Sequence, residues 1–453
     1  MTDVPPPCSV SLLEDLIARA RRAGADAADA VLVDGVSLSV AWRLGALERL
    51  ERAEGGDIGL RVLLGSRQAM VSSADRSPAA LDDLVERAVT IARTVPEDPY
   101  CGLADPSQIV ANPPAIDCRD PHEPSAETLT EMVRAAEDAA RAVPGVTNSE
   151  GAEAGWSLTT VIQAASNGFS HAYDRTGASL AVSVIAGGDG QGGAGMERDY
   201  DYTAAVFRED LRDPAEVGRV AGDRAVRRLD SRRPRTLKAP VVFDPRVART
   251  LVGHLLGAIN GASIARGTSF LKDAMDTEVF APGITITDDP HRPRGLRSRP
   301  CDGEGLATRP MNLIDAGRLT TWLLDLRSAR QLGLTSTGHS TRGTASPPSP
   351  GASNVYLRPG SLTPAALMAD ITEGLYVTEL AGQGVNMITG DYSRGAAGFW
   401  IENGDLTYPV SECTIAGTLP EMFRALTAAD DLVLRYGTDS PTLRVDGMTI
   451  AGE

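Results

Sequence analysis

Lysine is almost missing from this 453-residue chain: it stands only at 238 and 272, and arginine makes up the rest of the 44 basic residues. Against 60 acidic residues the formal net charge is −16. That balance argues against direct nucleic-acid binding, which depends on clustered Lys and Arg. Cysteine is scarce as well. Cys8, Cys101, Cys118, Cys301 and Cys413 are widely spaced and never form Cys-x-x-Cys, so neither a disulfide framework nor a zinc ribbon is indicated. Histidine occurs only as His122, His171, His254, His291 and His339. None has another three to five residues away, so no helical turn presents two imidazoles to a metal. A zinc site built from His254, His291, His339 and Cys301 would need unrelated loops to converge. Long apolar runs are lacking too. The best stretch, 250–265, contains His254 and Asn260, short of what a membrane helix needs. The opening MTDVPPPCSV has an acid and three prolines where a signal peptide has a basic start and an apolar run. The expectation is a soluble, cytoplasmic protein without a membrane partner.

What is present is an ordinary globular composition, 42% apolar, with length for about two to three domains. Leu12, Leu13, Leu16, Ile17 and Ala20 keep helical spacing. Val36, Leu38, Val40 and Trp42 alternate, as do Ile58, Leu60, Val62 and Leu64, which predicts strands broken by Gly55-Gly56. Ser77-Pro78 starts a helix that carries Leu81, Leu84, Val85, Ala88 and Ile91 on one face. An aperiodic connector at about 98–124 precedes a helix capped by Ser125 and stopped by Pro144-Gly145. Strands are expected over 156–165 and 180–186, then a charged helix over 215–229. Two prolines mark a boundary in 232–240. Hairpins follow, around Asp315-Ala316-Gly317 and Asn403-Gly404. The predicted class is α+β. A helix/antiparallel-sheet domain, with a second sheet/helix part, covers 1–235. A mostly antiparallel β-rich domain with a few helices covers 236–453.

Three motifs suggest chemistry. Gly188-Asp189-Gly190-Gln191-Gly192-Gly193 satisfies G-x-G-x-x-G, but MERDYDYTAAVF follows instead of a helix, so a glycine-rich hairpin tip is expected rather than a dinucleotide site. Gly338-His339-Ser340-Thr341-Arg342-Gly343 has one residue too many for a nucleophile elbow and runs into loop composition. It reads as a mobile polar loop able to cover a cleft. Asp288, Asp289 and Glu304 read as isolated, solvated loop acids. The stretch 382–404 is dense in glycine and sets Asp391, Tyr392, Ser393 and Arg394 between glycines. It fits a substrate loop or a tightly packed sheet corner.

Three blocks resemble the TldD/PmbA family, and within it the PmbA (TldE) branch. They are VGHLLGAINGASIARGTSFL (252–271), SARQLGLTSTGH (328–339) and VTELAGQGVNMITGDYSRGAAGFWIENGDLTYPVSECTIAGTL (377–419). The N-terminal helix–meander–helix also resembles the family, so the likeness spans essentially the whole chain. What the resemblance implies is specific. TldD-type subunits carry His-Glu-x-x-x-His on a helix and a C-terminal cysteine. They pair with TldE-type subunits as a zinc metalloprotease that degrades or trims unfolded peptides and matures peptide-derived antibiotics. Here the positions of the first histidine, the glutamate and the second histidine read Gly253, His254 and Ala258, and LRYGTDSPTLRVDGMTIAG has no cysteine.

The expectation is therefore a non-catalytic subunit without catalytic or metal residues and without its own cofactor. Zinc is expected in a TldD-like partner of the heterodimer, with an extended peptide as substrate. Gly253 and Ala258 would let the helix pack closely. A free strand edge of the glycine-rich sheet would hold the peptide. Asp391, Tyr392, Ser393 and Arg394, with His339, would lie by the cleft or interface. Two alternatives remain: a self-sufficient peptide or amide hydrolase of a natural-product pathway, and a protein-binding modulator of DNA gyrase.

Overall fold

The computed structural model describes residues 10–188 and 195–452. Beyond Gly188, the G-x-G-x-x-G run lies outside the described residues, as does Cys8. α1 (Val10–Arg22) turns Leu13, Leu16, Ile17 and Ala20 inward, the face predicted by their spacing. Three strands follow: β1 (Ala27–Arg43), β2 (Ala46–Leu64) and β3 (Arg67–Ser73). α2 (Pro78–Thr94) starts at Ser77, whose hydroxyl accepts from Ala80 N. Ser125 caps α3 (Ala126–Arg141) in the same way. β4 (Val146–Ala165), β5 (Ser170–Ala186), β6 (Glu197–Ala205) and α4 (Pro214–Arg227) complete the first half.

Its six strands form one antiparallel sheet in the order β3-β2-β1-β4-β5-β6. Alternation along β1 sends Ala28, Ala30 and Leu32 into a core with α1 and α2. Further along, Leu38 and Val40 enter a second core with α3 and α4. Each fully buried aliphatic contributes roughly 1.5–3 kcal/mol. The helices are thus held by their apolar faces. Gly55-Gly56 does not break the strand as expected: both residues stay in the ladder, opposite Gly35 and Asp34. β4 and β5 also extend well before 156 and 180. Small residues at the start of β4 carry little alternation, and the pairing of β4 with β5 along both extensions keeps the backbone extended.

The second half begins with β7 (Leu237–Phe243), α5 (Pro245–Ala258), α6 (Gly261–Ala265) and β8 (Ile286–Asp288). Then come β9 (Met311–Asp315), β10 (Arg318–Leu319), α7 (Leu326–Leu332), β11 (Ser340–Thr341), β12 (Ser349–Pro350), β13 (Val355–Leu357) and α8 (Pro364–Met368). The last elements are β14 (Glu373–Ala381), β15 (Asp391–Glu402), β16 (Asp405–Thr418), α9 (Leu419–Arg424), β17 (Leu426–Ala428), β18 (Thr438–Asp439) and β19 (Leu443–Ala451). The main sheet runs β16-β15-β14-β7-β19-β17, and β16 also pairs with β19, closing a barrel. Within it only β7 and β14 run parallel. The fold is α+β with mainly antiparallel sheets.

Both expected hairpins are present. Ala316-Gly317 and Asn403-Gly404 have φ of 47° and 93°, and of 50° and 87°, as two-residue hairpin turns require. Barrel closure leaves little open edge on the glycine-rich strand: β16 pairs β15 from Asp391 to Glu402, and β14 pairs it from Gly395 to Glu402. A second correction concerns 338–343. Ser340 and Thr341 pair with β12, and the Arg342 side chain is buried. The chain then presses on the N-terminal sheet, where a Cβ at Gly59 would stand 2.1 Å from the Thr344 carbonyl oxygen. Only glycine permits that approach. Among the described residues no helix is long and apolar enough to cross a membrane.

Candidate functional site

α5 begins at Asp244, whose Oδ1 accepts from Arg246 N at 2.9 Å, with Pro245 in the first turn. Val247, Ala248, Leu251, Val252, Leu255 and Ala258 enter the barrel core. Gly253, His254 and Ala258 sit in three different settings. Gly253 is exposed, and a Cβ there would meet nothing within 4 Å. Close packing is therefore not what keeps this residue small, and that expectation is corrected. Ala258 is fully buried, and its carbonyl accepts from Ser269 Oγ at 2.6 Å. His254 is half-buried and meets Tyr392 edge-on, with ring centroids 5.9 Å apart at 77°.

Alternation along β15 divides the polar quartet. Tyr392 and Ala396 face the core, Arg394 lies half-buried between them in sequence, and Asp391 and Ser393 are exposed. Asp391 accepts from Thr389 Oγ1 at 2.6 Å. The four side chains therefore do not form one set; Tyr392 and Arg394 join His254 instead.

Three atoms of that group are enclosed without a hydrogen-bond partner: His254 Nε2, Tyr392 Oη and Arg394 Nε. Burial, aided by the Arg394 charge, lowers the His254 imidazole to about 4, so it is neutral at pH 7. Burial raises the Tyr392 phenol, with Arg394 opposing it in part. The result is a neutral imidazole, a phenol and a fixed cation. Such a group can exchange hydrogen bonds, but it does not fit zinc, which takes three or four ligands from Cys, His, Asp or Glu. A guanidinium beside the one imidazole repels a cation. Among the described residues no three His, Cys, Asp or Glu side chains gather to hold a metal ion.

His339 belongs to a different network. Its Nε2 lies 3.0 Å from Asp288 Oδ2 and its Nδ1 lies 2.8 Å from Thr337 Oγ1. Asp288 also accepts from Ser353 N. Burial would raise this carboxyl, but His339 and Ser353 hold it below its ordinary range. Asp288 is thus fully buried on β8, not a solvated loop acid. Glu304 is corrected likewise: it accepts from Leu326 N at 2.9 Å, and burial, with Asp302 nearby, pushes it up to about 8.

Two features escaped sequence reasoning. One is an ionic cluster between the halves. Asp29 on β1 stands directly opposite Arg61 on β2, which donates from Nε to Asp29 Oδ2 at 2.9 Å. Arg342 pairs with the same carboxylate. Burial would raise Asp29, but the two guanidiniums outweigh it and hold the carboxyl below its usual range. The available signal was a charge inside an apolar strand, as in AADAVLV around Asp29 and GLRVLL around Arg61. The other feature is a groove of about 1350 Å³ on the N-terminal sheet, lined by Val36, Ile116, Leu158, Ile162 and His171. His171 Nε2 is enclosed there without a partner. No local pattern marks the groove, because the sheet and the 98–124 connector build it jointly.

Three family descriptions match the chain in order: PmbA/TldA metallopeptidase domain 1 at 28–92, the central domain at 119–229 and the C-terminal domain at 236–452. The chain is 39% identical over 430 residues to "Metalloprotease PmbA" of Escherichia coli O157:H7, covering 94% of this chain and 93% of that protein. It superposes on a Bacteroides thetaiotaomicron protein with a suggested role as a modulator of DNA gyrase, with TM-score 0.90, 26% identity and 98% of each chain covered. TldE from Thermococcus kodakarensis shares the fold, with TM-score 0.85 at 20% identity over 97% of this chain and 100% of that one. By its matched domains and its close relatives, the chain belongs to the TldD/PmbA metallopeptidase family as a PmbA-type protein.

Proposed function

We propose that the chain is the non-catalytic, TldE-type half of a heterodimeric zinc metallopeptidase, with zinc and general base supplied by a TldD-like partner. The donor set on α5 carries this reading. Where the family motif has ligand, base and ligand stand Gly253, His254 and Ala258, and the single imidazole is neutral with Arg394 beside it. A zinc site depends on its ligands together, so losing all of them suits a partner better than an enzyme. On this reading the chain holds no cofactor of its own, acts in the cytoplasm, and shapes the cleft for trimming or degrading extended peptides. With β16 along β15 and β14 along most of it, the groove of about 1350 Å³ is the better surface for a peptide. It exceeds the ~300–1,000 Å³ of small-molecule pockets.

The test is to purify the chain alone and with its TldD-like partner, then measure bound zinc and hydrolysis of an unstructured peptide. Zinc and cleavage are expected only with the partner present. Stoichiometric zinc and hydrolysis by the isolated chain would overturn the proposal.

A further inference from the structure

Four arginines and four aspartates line a cavity of about 340 Å³ between β6 and α4 of the first half and α5, β14 and residues 431–440 of the second. Its volume is that of a small-molecule pocket, and it shares no lining residue with the groove on the N-terminal sheet. Half of its charges are already matched. Arg224 meets Asp201 at 2.9 Å, Arg246 meets Asp199 at 2.6 Å and Arg292 meets Asp439 at 3.7 Å. Arg249, Arg435, Asp244 and Asp431 are left over: among the described residues none of them forms an ion pair.

The four stand in two groups. Asp244 accepts from Tyr376 Oη at 2.9 Å. Burial raises the Tyr376 phenol, and the charges of Asp244 and Asp431 add to the rise, so both acids lie on its side of the cavity. The Arg249 guanidinium lies over the Tyr202 and Tyr436 rings, 6.0 and 5.1 Å from their centroids, and Arg435 precedes Tyr436 in the chain. Asp244 and Asp431 each accept two hydrogen bonds, which leaves acceptor sites open on both carboxylates. A simple anion entering the cavity would meet two unpaired acids, and a simple cation two unpaired guanidiniums. A ligand with both charges at opposite ends meets neither penalty. The stacked Tyr202 and Tyr436 rings, with centroids 4.7 Å apart, and the exposed Val433 give its middle an apolar wall.

We infer that this cavity binds a small zwitterion, an apolar amino acid or dipeptide with free ends, its ammonium toward Asp244 and Asp431 and its carboxylate toward Arg249 and Arg435. Charge-assisted hydrogen bonds of this kind are the strong ones. The inference goes beyond the proposed heterodimer and does not depend on it.

Calorimetric titration of the full chain with leucyl-leucine tests it, beside the same dipeptide with its amine acetylated or its carboxylate amidated. The free dipeptide is expected to bind with a dissociation constant on the order of 0.1 mM, and each blocked form about tenfold more weakly. Arg435→Met, at an exposed position, should weaken the free dipeptide about tenfold and leave the amidated form as it was. Asp244→Asn keeps a helix-capping side chain; it should weaken the free dipeptide and spare the acetylated form. No binding of the free dipeptide, equal binding of either blocked form, or variants that weaken free and blocked forms alike would overturn the inference.

Discussion

His254 and its neighbours show how one contact restricts what a residue can do. Its ring meets Tyr392 edge-on and is flanked by Arg394, and both burial and that cation disfavour the imidazolium. In the unfolded chain the same group titrates near its ordinary value of about 6.5. Between pH 6.5 and 4 the unfolded state therefore binds a proton that the native state does not, and stability falls as pH falls. The loss is roughly 2 kcal/mol once the partial exposure of the ring is allowed for. His254→Gln keeps a polar side chain without the titration. Urea midpoints of the variant should change less with pH across this window than those of the wild type, and an unchanged slope would show that His254 is not the group responsible. Arg394→Met removes the nearby cation, so the His254 midpoint followed by NMR should rise from about 4.

At the scale of elements, the local sequence was most informative where it controls backbone geometry. Helix starts were legible from Ser77 and Ser125 because each cap is a local hydrogen bond. The β15–β16 turn was legible because Asn403-Gly404 is chemistry for positive φ. Gly404→Ala would force Ala to φ near 87°, with its Cβ 3.0 Å from Ala369 Cα. The left-handed conformation costs about 1–2 kcal/mol, which in a chain of this size lowers Tm by about 1–2 °C. Asn403→Gly should melt with the wild type; an unshifted melt for Gly404→Ala would mean that the turn relaxes. Long-range packing was less legible. The start of β4, around Ser149-Glu150-Gly151-Ala152, lacks alternation; β5 pairs with it there, and β1 joins only from Ala152. Likewise, nothing near residue 340 announces that Thr344 packs on Gly59. Of the site, the helix and its single imidazole could be read from residues 253–258, whereas the facing of Tyr392 and Arg394 toward that helix required the barrel.

Across the whole molecule, the two halves meet at charges that the sequence separates by hundreds of positions. Asp29 and Arg61 come from neighbouring strands of the first half and Arg342 from the second, each side chain less than a tenth exposed. Glu304, pushed up to about 8, is mostly protonated at pH 7, so one carboxylate faces two guanidiniums. This asymmetry makes the two halves of the cluster unequal in mutation. Asp29→Asn leaves two buried cations with no anion, and uncompensated buried charge costs about 3–5 kcal/mol. Arg342→Met leaves the balanced Asp29–Arg61 pair and fills much of the same volume, so its cost should stay below about 2 kcal/mol. Its effect should be local instead: faster hydrogen exchange at residues 340–344, which dock on the N-terminal sheet through this side chain and Gly59. Denaturant midpoints of the two variants, with exchange measured on the second, separate charge balance from docking. Equal losses for Asp29→Asn and Arg342→Met would mean that the docking contact, rather than the charge it carries, holds the halves together.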